Sequence, residues 1–90
     1  MEEMIVIRAN PTEIQQEIYI MTSEAEQIPL VKKVKISELP SAVAMNAAKY
    51  NIKYIKIAGS HDYTLEIKDR ITEKVATCFG QDNNFIIELI

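Results

Sequence analysis

Ninety residues with a formal net charge of −3, 48% of them apolar and 26% charged, make one small globular domain rather than a disordered chain. One cysteine excludes an internal disulfide and any cysteine-based zinc site, and one histidine adds little to metal binding. No apolar run approaches the roughly 18 residues of a membrane span, and Glu2 and Glu3 oppose a secretory signal, so a cytoplasmic location without a membrane partner is expected.

Met4 to Ala9 is rich in β-branched residues and is stopped by Asn10-Pro11, which predicts a strand. Glu17 to Thr22 predicts a second, followed by a polar turn at Ser23-Glu24-Ala25-Glu26. Leu30 to Ile36 is the third, with Lys32, Lys33 and Lys35 interrupting an apolar alternation. Ser37-Glu38-Leu39-Pro40 then reads as a helix start: a hydroxyl cap, an acid in the first turn and an early proline. Leu39, Val43, Ala47 and Tyr50 continue on one helical face, and Asn51 ends it. Lys53 to Ala58 is a fourth strand, closed by Gly59-Ser60. Tyr63, Ile67, Ile71 and Val75 recur every four residues and mark a second helix capped at Ser60. Its last turn, Thr77-Cys78-Phe79, is open between helix and extended chain. The polar turn Gln81-Asp82-Asn83-Asn84 leads into a last strand, Phe85 to Ile90.

Three strands joined by short links predict an antiparallel meander, whereas the two helical crossovers demand parallel strands with right-handed connections. With the first strand central, the expected fold is α/β and two-layered. Its five-stranded mixed sheet has the order 3-2-1-4-5, with both helices on one face. The alternative is a βββαβαβ arrangement whose first hairpin swaps to a neighbouring chain. By element order the chain resembles the ribonuclease H-like superfamily, which includes the actin-like ATPases. It is also similar in layout to small proteins encoded by bacteriophages, in the run Glu38-Leu39-Pro40, Tyr50-Asn51-Ile52, Gly59-Ser60 and Tyr63.

The first resemblance implies a carboxylate in the first strand and another after the fourth, holding magnesium around a phosphodiester. Here the first strand carries Arg8 and then Asn10, and Asp62 falls in the first turn of a helix, where acids ordinarily serve the dipole. Asn10-Pro11-Thr12 also departs from the Asp-Gly phosphate loop of the ATPases. No enzymatic activity, metal or cofactor is expected. His61 lacks a partnered serine or cysteine and reads as a surface or capping residue, and Cys78, on a mainly apolar stretch, reads as a buried, inert thiol.

Charge is unevenly spread along the chain. Residues 1–30 hold Arg8 against six acids, a balance of −5; residues 31–60 hold six lysines against Glu38, +5; residues 61–90 hold three bases against six acids, −3. Strand parity puts Ile5, Ile7, Ile18, Ile20, Val34, Ile36, Ile55 and Ile57 on one face, the one both crossovers cover. In the superfamily a further helix after the fifth strand covers the opposite face, whereas here the sequence runs to Ile90. That face is therefore expected to be open, with Val6, Arg8, Tyr19, Met21, Val31, Lys33, Lys35, Tyr54 and Lys56 on it. An apolar area of roughly several hundred Å2 signals an interface. A two-fold homodimer follows as an expectation, either face to face or through the last strand. The lysines oppose the face-to-face form unless Glu17 or Glu88 meets them.

The expected function is a small non-catalytic binding module for a phosphate-bearing, nucleotide-like small molecule. In open α/β sheets ligands sit beyond the carboxyl ends of parallel strands. This points to Arg8, Asn10, Thr12, Gly59, Ser60 and His61, where the second helix starts with free amides. The alternative is a structural protein that docks on a protein partner through the open face. Single-stranded nucleic acid is a further possibility, because Tyr19, Lys33, Lys35, Tyr54 and Lys56 interleave rings and cations. A pI near 5.1 places it below the small anion.

Overall fold

Isoleucine at every second position builds the three central strands of this protein's sheet. The computed structural model describes residues 3–22 and 29–90. Its strands are β1 (Met4–Arg8), β2 (Gln15–Met21), β3 (Leu30–Lys35), β4 (Tyr54–Ala58) and β5 (Ile86–Leu89). Two helices, α1 (Leu39–Tyr50) and α2 (His61–Phe79), make the crossovers. The sheet order is β3-β2-β1-β4-β5, with β1 antiparallel to β2, β2 antiparallel to β3, and both β1–β4 and β4–β5 parallel. The expected order therefore holds. β1, β2 and β3 pair as the expected antiparallel meander.

The core lies between the sheet and the helices. Ile5, Ile7, Ile18, Ile20, Ile55 and Ile57 are fully buried and cluster with Leu39, Val43 and Ala47 of α1 and with Ile67, Ile71 and Val75 of α2. Both helices thus cover the same face, as two right-handed crossovers running one way require. Each isoleucine fully removed from water stabilises the fold by roughly 1.5–3 kcal/mol before the cost of ordering. Val34, Ile87 and Leu89 extend this layer at the two edges, where cover is partial.

Local chemistry departs from expectation in three places. Ser37 does not cap α1, because a 3₁₀ turn at Ile36–Glu38 leads directly into it and the Leu39 N–H donates to the Ile36 carbonyl. Ser60 stands at the N-cap of α2, but its side chain makes no cap bond; the Thr64 hydroxyl instead donates to the His61 carbonyl at 2.8 Å. Cys78 is exposed in the last turn of α2 rather than buried, and the open question there resolves as helix through Phe79, whose ring packs 4.7 Å from that of Phe85. Asn51 ends α1 in the left-handed region with φ 55°, as its short polar side chain allows. The turn expected at Ser23-Glu24-Ala25-Glu26 lies outside the described residues.

Candidate functional site

The second face of the sheet carries no helix among the described residues. Its composition follows from pairing register. Val31 pairs with Tyr19, Tyr19 with Val6, Val6 with Lys56, and Lys56 with Glu88, making one row across all five strands. One step along lies the row Lys33, Glu17, Arg8 and Ala58. Lys35 pairs with Gln15 beyond that row, while Met4 pairs with Met21 and Tyr54 with Ile86 on the other side. Val31 is 50% exposed and Ile86 53%, whereas Val6, Tyr19, Met21 and Tyr54 are half-buried by their neighbours alone. The nine residues expected on this face, Val6, Arg8, Tyr19, Met21, Val31, Lys33, Lys35, Tyr54 and Lys56, share it in the register.

Two acids on the same face fix its tyrosines. The Tyr19 hydroxyl donates to Glu17 Oε2 at 2.7 Å, and the Tyr54 hydroxyl donates to Glu88 Oε2 at 2.9 Å. Lys56 Nζ sits 5.2 Å from the centre of the Tyr54 ring, within cation–π range. The bond to Glu17 holds the Tyr19 phenol above its ordinary pKa of 10.0, because ionisation would set two anions together. Burial adds to that rise, while Arg8 pulls the other way. Glu17 and Glu88 were legible by parity as neighbours of Tyr19 and Lys56, yet only as foils for the lysines. They turn an apparently cationic face into one of mixed charge.

The strand ends divide the remaining expected residues into two groups. Arg8, Asn10 and Thr12 line one open groove of about 700 Å3, together with Glu13, Ile14, Gln15, Glu17 and Lys33. Gly59, Ser60 and His61 line none of it, although the strands do meet there: the Ala9 N–H donates to the Ala58 carbonyl at 2.7 Å. Gly59 has φ +149°, and a Cβ on it would collide with the Ala9 carbonyl oxygen. Its smallness serves an approach between two strands of the same chain. His61 is exposed, and its carbonyl is taken by Thr64.

Within the groove Asn10 and Thr12 already bond to each other and to their own loop. Asn10 Oδ1 accepts from the Thr12 backbone N–H at 3.1 Å and from the Thr12 hydroxyl at 2.8 Å, an Asx turn. Gln16, only 1% exposed, holds the same loop from below through Asn10 and Glu13. Two cations and two carboxylates share the groove, so a phosphate entering it would meet repulsion as well as attraction. No group of three or more His, Cys, Asp or Glu among the described residues is placed to hold a metal ion.

No protein-family model, curated protein or solved structure matches the chain. No helix among the described residues is long and apolar enough to cross a membrane.

Proposed function

We propose that the protein is a non-catalytic interaction module that docks on a protein partner through the open face of its sheet. One observation carries this reading. Val31, Tyr19, Val6, Tyr54 and Ile86 stand together across the sheet with no layer of described residues above them, and contiguous apolar residues of this kind mark interaction surfaces. The rims supply both signs of charge, which suits a folded protein surface better than a polyanion. Kinship with the ribonuclease H-like superfamily belongs to the same proposal and rests on element order.

The test is site-specific photo-crosslinking in the cells that make the protein. A photoreactive residue at Val31 or Tyr54 should give covalent protein adducts, and one at Glu66, exposed on α2, should not. Equal yields from the two sets of positions would sink the docking reading.

A phosphate-bearing, nucleotide-like ligand at the strand ends is the second reading. It is favoured by Arg8, Asn10 and Thr12 lining one groove with Lys33. It ranks second because Glu13 and Glu17 line that groove too. A thermal-shift screen with nucleotides, repeated on Arg8→Ala, decides it: a shift lost in the variant supports this reading, and no shift in either chain removes it.

A further inference from the structure

The open face carries one sign of charge on each strand. Lys33 and Lys35 mark β3, Glu17 marks β2, Arg8 marks β1, Lys56 marks β4 and Glu88 marks β5. Across the sheet the signs run plus, minus, plus, plus, minus. Two stackings of such a face on its own copy obey two-fold symmetry with nearly aligned strands. With the axis across the strands, each strand lies over itself and every pair repels. With the axis along β1 the order reverses, so that β3 lies over β5, β2 over β4, and β1 over β1. Four of the five strand pairs then bring opposite signs together.

We propose that the protein docked on the open face is a second copy of this chain, related by a two-fold axis along β1. This rests on the open face being a docking surface. Rotation about that axis keeps each residue's height along the strands, so Lys33 of one copy stands one row, about 7 Å, from Glu88 of the other, and Glu17 stands one row from Lys56, spans that these long side chains bridge, while Lys35 lies a further row off. Only β1 meets its like, and there each Arg8 has Glu17 of its own chain as its pairing neighbour. Val6 meets Val6 at the axis, and Tyr19 and Tyr54 flank it. Five strands about 4.8 Å apart and about 17 Å long give a face of roughly 400 Å2 in projection. Standard interfaces bury about 800 Å2 per partner. The pairing is therefore a weak, reversible one that should show at high micromolar concentration.

Charge reversal on opposite edges tests the geometry. Lys33→Glu with Lys35→Glu makes both edges of the face negative, whereas Glu88→Lys makes both positive. Each variant alone should fold by circular dichroism, since these side chains are exposed, and should self-associate at least about tenfold more weakly than wild type in sedimentation velocity. An equimolar mixture of the two should recover the dimer, because β3 of each then lies over an oppositely charged β5. A wild-type chain that sediments as a monomer at high micromolar concentration overturns the self-pairing and leaves docking of another protein standing. A mixture no more associated than its components also overturns it. A dimer in which a soluble paramagnetic probe reaches the Val6 and Tyr19 resonances freely overturns this geometry and likewise leaves docking of another protein standing.

Discussion

Gln16 closes on Asn10 from both sides, its Oε1 accepting from the Asn10 N–H at 2.6 Å and its Nε2 donating to the Asn10 carbonyl at 3.0 Å. A further bond from Nε2 reaches the Glu13 carbonyl at 3.1 Å. One buried amide thus replaces the sheet pairing that the chain loses as it turns from β1 into β2. Gln16→Leu keeps the volume and removes all three bonds, leaving backbone groups without their partner. It should destabilise the fold by roughly 1–3 kcal/mol. Urea denaturation should show this as a lower midpoint at unchanged slope. An unchanged midpoint would mean the loop holds itself.

Gly59→Ala should act on stability before it acts on any ligand. The residue sits at φ +149°, a region that side chains rarely adopt, and the added methyl meets the Ala9 backbone. The backbone conformation alone costs roughly 1–3 kcal/mol for a residue other than glycine. Thermal melting should fall clearly in this variant and only slightly in Ser60→Ala, whose hydroxyl makes no cap bond. Equal melting of the two would show that the strand end relaxes.

Tyr19 makes stability depend on alkaline pH. Its folded pKa lies above the ordinary 10.0, chiefly because its hydroxyl donates to Glu17. Below pH 10.0 both folded and unfolded chains keep the proton, and the contribution is fully present. As pH rises past 10.0 the unfolded chain releases it first, so the contribution is lost on the way through the folded pKa. Ultraviolet difference titration should show Tyr19 ionising above its ordinary 10.0 in the wild type. Glu17→Gln should lower it toward that value, and a titration unchanged by that substitution would contradict the bond.

The fold was legible because burial leaves a simple trace in this sequence. Ile5/Ile7, Ile18/Ile20 and Ile55/Ile57 alternate with residues that tolerate water, so parity alone sorted the sheet's two faces. The crossovers then followed from handedness. What escaped was polar and local. Gln16 shares the parity of Ile18 and Ile20, so its inward position was readable, but its three acceptors and donors come from loop geometry that no periodicity records. The extent of α2 depended on Phe79 meeting Phe85 across a turn. At the strand ends, adjacency of Arg8 and Ala58 was foreseeable from topology, whereas the direction in which Gly59 opens was not.

Covalent trapping at Val6 measures the central relationship most directly, since β1 lies on the proposed axis. In a Cys78→Ser background, which removes the exposed native thiol, Val6→Cys should be compared with Met45→Cys. Met45 is 70% exposed on α1, far from the open face. With a short bifunctional thiol reagent, Val6→Cys should convert to covalent dimer well ahead of Met45→Cys, and dilution below the dimer's dissociation constant should abolish the difference. Trapping at Val6 no faster than at Met45 would contradict the pairing of open faces about β1.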